Sequence, residues 1–476
     1  MKLILAAGAI SILCCLLIPA CGPRETPKDP APQTLKTDTL HMVKHAPWVA
    51  QSNVYEVNVR QYTKEGTFKS FAKHLPRLKE MGVEILWFMP VTPISKTDRK
   101  GTLGSYYAVA DYRSVNPEFG TMEDFKALVN KAHEMGFKVI TDWVPNHTGA
   151  DHAWLTTNPN FYHTDSTGKA RYAFDWSDTR ELNYDNMALR DSMLDAMQYW
   201  IRETNIDGFR VDVAGEVPTD FWEDCIPKLR AMKELFLLAE ADKAELHRAG
   251  FDASYPWEFF QIIKQIAAGT RGIAALDSLI QRQDSAFPAN AFRLYFTSNH
   301  DENSWNKSDY GTFTAQQHAS FAILTQTLRR SVPLVYSGQE EPVKRAISFF
   351  EKDNINFRFY GRGKFYKTLL QLRKQNPGLA ADAPFKRIRA GNDSAIYAYT
   401  RGTGSNRVVV VLNLSAKAQE VQVSDSTMIG EPMNIFLYTK EKLTAGHKFG
   451  IEPWGYIIYD YMPHQKSTQD KREIDR

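Results

Sequence analysis

The chain has 476 residues, 43% of them hydrophobic, so it can bury a large core and exceeds the usual size of one domain. Its formal charge is only +3, and its Lys and Arg residues are not gathered into a stripe, which leaves no basis for a nucleic-acid partner. Aromatic residues make up 12%, a level that suits stacking on sugars, although most aromatics in any enzyme are core.

Met1 and Lys2 precede an almost wholly apolar run to Pro19, short for a membrane span and typical of a signal-peptide core. The run ends in Leu17-Ile18-Pro19-Ala20-Cys21, which resembles a bacterial lipobox and implies lipidation of Cys21. The alternative is an ordinary secretory signal cut near Ala20. Residues 1–21 thus read as a lipoprotein signal, and the expected location is the cell envelope of a bacterium, lipid-anchored in its membrane. Gly22, where an aspartate is associated with inner-membrane retention, points to the outer membrane if the cell is Gram-negative, on a face the sequence does not specify. Residues 22–45 are rich in Pro, Thr, Lys and Asp, lack apolar periodicity and read as a flexible tether. Cys14 and Cys15 leave with the signal, so Cys225 alone remains in the body: no internal disulfide or cysteine metal cluster is available.

Apolar runs then alternate with helical patterns. Strands are expected at 54–59, 83–90 and 137–142, in the run that carries Arg210 and Asp212, in the run that ends at Glu240, and at 251–254, 292–298 and 332–336. Helices are expected over 67–81, 121–135, 191–204, 218–234 and 315–330, with Gly82 and Gly136 as C-terminal stops of the first two. Eight such alternations favour a closed (β/α)8 barrel over an open doubly wound sheet, across residues 46–376. The stretch 147–185 interrupts the alternation after the third strand and reads as a short inserted subdomain. Residues 377–462 hold short strand-like runs split by Gly, Asn and Ser, a separate antiparallel β-sandwich domain, and 463–476 read as a disordered tail.

Three carboxylates stand at strand-like ends: Asp212 in Asp207-Gly208-Phe209-Arg210-Val211-Asp212, Glu240 in Phe236-Leu237-Leu238-Ala239-Glu240, and Asp301 in Ser298-Asn299-His300-Asp301. The C-terminal strand ends of a barrel form its active face. Acetal cleavage needs one carboxyl to protonate the leaving oxygen and one to attack or shield the cationic sugar carbon. A third can hold sugar hydroxyls and raise its neighbour's pKa. Arg210, two residues before Asp212 on the same strand face, can favour the charge of Asp212. The competing structural reading is a buried ion-pair network around Arg210.

With Asp142-Trp143-Val144-Pro145-Asn146-His147, Gly208 to Asp212, Leu238-Ala239-Glu240 and Ser298 to Asp301 in that order, the chain resembles the α-amylase family of retaining glycoside hydrolases. Tyr107, four residues before Asp111, and the run Val332 to Glu340 fit the same pattern. The resemblance implies Asp212 as nucleophile, Glu240 as general acid and then base, and Asp301 as the holder of the sugar at the cleavage point. It implies substrate contacts from Tyr107, His147, Arg210 and His300. It also implies α-1,4-glucan or maltooligosaccharide as substrate, with hydrolysis, transglycosylation or non-catalytic glucan binding as the alternatives. No cofactor or metal is required by this chemistry. Calcium is left open, with Asn146 resembling one ligand and Asp175, Asp178 and Asp185 as spare acids nearby. Oligomeric state is not readable. Two departures stand out: Gly215 and Glu216 occupy positions where many starch-cleaving members carry Lys and His, and Glu181 stands where relatives often have an aspartate.

Overall fold

The computed structural model describes residues 42–307 and 311–463. The signal segment with Cys21, the tether up to residue 41 and the tail from residue 464 lie outside the described residues. The tether's last residues differ from expectation. Val43 is buried with its N–H on Asn290 Oδ1 at 3.2 Å, and the His45 ring stacks on Phe292 at 3.9 Å and bonds Asp252 at 2.8 Å. An aromatic partner and a buried carboxylate hold this segment to the barrel, which composition alone does not reveal.

Eight parallel strands form one sheet: β1 (Val54–Val57), β2 (Ile85–Phe88), β3 (Lys138–Trp143), β4 (Gly208–Val211), β5 (Phe236–Ala239), β6 (Ala253–Ser254), β7 (Phe292–Arg293) and β8 (Leu334–Tyr336). Consecutive strands pair, and β1 also pairs with β8. A parallel bridge from Arg293 to Ser331 joins β7 to the lead-in of β8 and closes the barrel. Ile85-Leu86-Trp87-Phe88 is buried throughout, as a strand covered on both faces must be.

Local chemistry sets the helix limits. Thr121 caps the helix Met122–Glu134 in a capping box with Asp124, and Phe125, Leu128, Val129 and Ala132 form its buried stripe. Gly82, at φ +99°, ends the helix Leu75–Met81 with its N–H on the carbonyls of Leu78 and Lys79. The helix expected over 67–81 is broken by a 3-10 turn at Ala72–His74, next to Pro76, which has no N–H to give. The helix expected from Asp191 starts at Met187, because Asn186 caps the N–H groups of Ala188 and Leu189. The run 292–298 forms a strand only at Phe292–Arg293, and Asp301 lies in the first turn of a helix, His300–Asn306, capped by Asn299, rather than on a strand end.

The C-terminal part forms a six-stranded antiparallel sheet, with a second pair, Gln419–Gln422 and Lys448–Ile451, over it. In Val408–Asn413 the faces split by alternation. Val409 and Val411 join the core between the sheets, while Val408, Val410 and Leu412 pack with Phe321, Leu328 and Leu369 of the barrel. Burial of each such side chain stabilises by about 1.5–3 kcal/mol, so the sheet is welded to the barrel on its apolar face.

Candidate active site

The C-terminal mouth of the barrel holds a cleft of about 470 Å³. Tyr107, His147, Asp212, Glu240 and Asp301 line it together with Trp176, Trp305 and Phe349. Asp212 and Glu240 follow β4 and β5 directly, so the adjacent paired strands fix their spacing. Arg210 lies under both. Its Nη1 is 2.9 Å from Asp212 and 2.9 Å from Asp142, and its Nη2 is 2.8 Å from Glu240. The guanidinium is boxed by the rings of Trp87, Tyr107 and Tyr255 at 5.2, 5.8 and 5.5 Å. One buried cation therefore serves three carboxyl groups, too few to neutralise three anions.

The excess is visible in the acidities. Burial, opposed by Arg210 and reinforced by Asp212 and Asp301, pushes Glu240 up to about 7. Burial likewise raises Asp212 to about 6, against the pull of Arg210. Asp301 goes the other way. Burial would raise it, but His300, Arg210 and the Trp305 ring N–H more than offset this and hold it below its ordinary value. Burial thus raises both Glu240 and Asp212, Glu240 to the higher value, beside an Asp301 that is held ionised.

His300 connects the second half of the site. Its Nδ1 bonds Glu56, and its Nε2 meets Tyr107 Oη at 2.8 Å and Asp301 Oδ2 at 3.2 Å. Burial disfavours its charge, yet Asp301 and Glu56 together raise it well above the ordinary histidine value. The Tyr107 hydroxyl donates to Asp142 Oδ2 at 3.1 Å, and its ring is stacked on His300, with centroids 5.4 Å apart. His147 is fully buried at the cleft wall against Trp176. Burial lowers it to about 4, so it is neutral, and its Nε2 has no protein partner.

All seven residues expected from the sequence come together, but in two layers. Arg210 and His300 were expected to touch the sugar. The structure places both below the cleft lining, with their polar atoms committed to Asp142, Asp212, Glu240, Glu56, Tyr107 and Asp301. Sequence reasoning missed the roles of Glu56 on β1 and Asp142 on β3, both buried acids inside strands. It also missed Val213, at φ +36°, whose N–H donates to Glu240 Oε2 at 2.9 Å. Beside Gly215, where a basic residue was noted as missing, Lys243 reaches in: its Nζ donates to Gly215 O at 2.6 Å, and a Cβ on residue 215 would lie 3.1 Å from the lysine chain.

Two of the residues considered for calcium are engaged with other groups. The Asn146 side chain contacts His147 Nδ1 at 3.3 Å, and Asp178 is paired with Lys100. Among the described residues no group of three or more His, Cys, Asp or Glu side chains converges as a metal site.

A closed eight-stranded barrel with three carboxyl groups lining one cleft at its C-terminal mouth is an arrangement suited to carboxylate-based hydrolysis. Comparison with known proteins makes the class specific. The family model described as "Alpha amylase, catalytic domain" matches residues 43–181 and 162–354, and that of the "Maltogenic Amylase, C-terminal domain" matches 385–458. The chain belongs to the α-amylase family of glycoside hydrolases. It is 28% identical over 398 residues to alpha-amylase MalA of Haloarcula japonica, covering 80% of this chain but only 58% of that protein. Two solved structures match it over nearly their whole length. An alpha-amylase from Lactobacillus plantarum has a TM-score of 0.76 at 29% identity, over 86% of this chain and 99% of that one. A noncanonic maltogenic alpha-amylase from Thermotoga neapolitana has a TM-score of 0.79 at 26% identity, over 87% of this chain and 100% of that one.

The acidities predict a bell-shaped dependence of kcat/KM on pH. Activity falls below about 6 as Asp212 gains a proton, and above about 7 as Glu240 loses one. The two limbs belong to the interacting group. Initial rates on a short oligosaccharide from pH 4.5 to 9 check this; a flat profile through pH 8 contradicts the assignment of Glu240 as the acid.

Proposed function

We propose that this protein hydrolyses α-1,4-glucosidic bonds of starch, maltodextrins or maltooligosaccharides with retention, by double displacement. The observation that carries the reading is the pair Asp212 and Glu240 held on one guanidinium at the mouth of the barrel. Retention needs the two carboxyls only about 5–5.5 Å apart, a spacing compatible with two groups sharing one small cation.

In this reading Asp212, ionised, attacks the anomeric carbon while Glu240 gives its proton to the leaving oxygen. The C–O bond to the leaving sugar breaks as the bond to Asp212 forms. Glu240, now a carboxylate, takes a proton from water, whose oxygen displaces Asp212 and restores the α configuration. Arg210 positions both acids and lowers the cost of the charge on Asp212. Asp301 accepts hydrogen bonds from sugar hydroxyls and is itself positioned by His300. The unpartnered Nε2 of His147 supports a direct bond to a sugar hydroxyl, since a buried polar atom without a partner costs about 1–3 kcal/mol. Tyr107 supplies the stacking face. The basic Lys243 beside Gly215 supports a contact on the leaving-group side. Transfer to a second sugar in place of water would use the same residues.

The test is incubation of the soluble form lacking residues 1–21 with soluble starch, maltoheptaose, pullulan and cyclodextrin, following products and their anomeric configuration. Early release of α-configured oligosaccharides is expected. Predominant β-configured products, or no turnover by folded protein, would count against it.

Membrane attachment through Cys21 is a separate part of the proposal, supported by the lipobox-like string alone. Cys21→Ala should move the protein from the membrane to the soluble fraction; continued membrane partitioning would mean another anchor.

A further inference from the structure

One wall of the cleft is tied shut. Lys100, on the loop after β2, and Asp178, in the segment inserted after β3, line the same space as Tyr107 and His147, and their charged groups meet at 3.0 Å. A second ion pair, Asp98 with Arg180, joins the same loop to the same segment. On its other flank the loop is fastened to the segment after β8: Thr102 N–H donates to Glu351 Oε1 at 2.8 Å and Leu103 N–H to Phe350 O at 3.1 Å. Gly101, at φ +65°, permits this approach, since a Cβ there would sit 2.6 Å from that of Phe350. Three loops are thereby closed into one rim.

The rim adjoins Tyr107 and, through Phe349 and Trp305, Asp301, the residues read above as holding the sugar on the glycone side. The leaving oxygen is served by Glu240, next to Val213 and Lys243. The rim continues into Ser105–Tyr107 and carries Phe349, which is stacked on Tyr107 at 6.2 Å and touches Trp305, the residue that bonds Asp301. Asp178 is only 3% exposed. The bridge thus buries the carboxylate, while the Lys100 side chain stays 36% exposed at the rim. A cleft of about 470 Å³ also falls in the lower part of the range for small-molecule pockets, about 300–1,000 Å³.

We propose that the Lys100–Asp178 bridge closes the glycone end of the cleft, so that the protein acts at the non-reducing ends of α-glucan chains and releases short oligosaccharides instead of cutting within the chain. The inference rests on the α-glucan reading above. The bridge also gives the terminal sugar a polar partner: an ammonium has three donors, and Asp178 takes one. Chain-end hydroxyls then complete the set, whereas a glucan continuing past this point has no room.

The test compares 4-nitrophenyl maltoheptaoside with the same compound blocked at its non-reducing end by a 4,6-O-ethylidene group. The native protein should cleave the blocked compound at less than roughly one-twentieth of the free rate, an effect of the size that loss of one or two contacts produces. Lys100→Ala should raise the blocked-to-free ratio by about tenfold, and Asp178→Asn, which keeps the shape and weakens the bridge, should move it the same way. Equal rates on both compounds with the native protein would overturn the closed end. So would an unchanged ratio in a folded Lys100→Ala protein. Cleavage of neither compound by folded native protein would instead overturn the α-glucan reading beneath it.

Discussion

Asp212→Asn and Glu240→Gln are each expected to lower kcat on maltooligosaccharides by about 10⁴-fold, equal to roughly 5.5 kcal/mol of lost transition-state stabilisation. Both substitutions are nearly isosteric and remove a charge or a proton rather than volume, so the barrel should stay folded. The two differ in how they respond to the leaving group. A sugar fluoride needs little protonation as it departs, so Glu240→Gln should recover much of its rate on α-maltosyl fluoride in the first step. Asp212→Asn should recover none, because no leaving group replaces a missing nucleophile. The pre-steady-state burst of fluoride release checks this, because the second step in Glu240→Gln still lacks its base, and equal recovery by both variants would exchange or abolish the assigned roles.

Arg210→Leu is expected to damage both stability and chemistry. It leaves Asp142, Asp212 and Glu240 buried without their shared cation. Removing one partner of a buried ion pair typically costs about 3–5 kcal/mol. The sign of the pH dependence follows from the acidities. All three carboxyls already sit above their ordinary values, and losing Arg210 raises them further. A carboxyl with a raised folded-state pKa favours the folded form at low pH, and that advantage is lost as pH rises through the folded-state value. The stability difference between native and variant should therefore be small near pH 4 and largest above pH 7. Thermal unfolding at both pH values tests it; a cost independent of pH would mean that Arg210 acts through packing rather than charge. Activity should fall about 10³-fold or more, because the variant protonates Asp212 where the native protein keeps it ionised.

Much of the site was legible because buried parallel strands write themselves as unbroken apolar runs. An acid that ends such a run, as Glu240 ends Phe236–Ala239, has little reason to be there except the cleft. Glu56 went unmarked, and Asp142 entered only as part of a motif without a role, because an acid inside a strand reads as an irregularity until its partner, His300 or Arg210, is known in space. Asp301 was placed in the right neighbourhood on the wrong element: Asn299 caps a helix that the string Phe292 to Ser298 conceals by its β-like composition. The layered arrangement, with Arg210 and His300 beneath the lining, depends on side-chain direction and was beyond pattern reading. The Lys100–Asp178 bridge joins loops far apart in sequence, and neither residue stands in a string that marks it.

The central claim is that Asp212 forms a covalent bond to the sugar. It is tested most directly by trapping the intermediate with a 5-fluoro-α-glycosyl fluoride, a reagent that forms the glycosyl-enzyme readily and hydrolyses it slowly, followed by proteolysis and mass spectrometry of the labelled peptide. The account predicts one sugar per chain, on the peptide that carries Asp212, with the label absent in Asp212→Asn. A label on another residue, or rapid inverting hydrolysis of the reagent with no label at all, would contradict it.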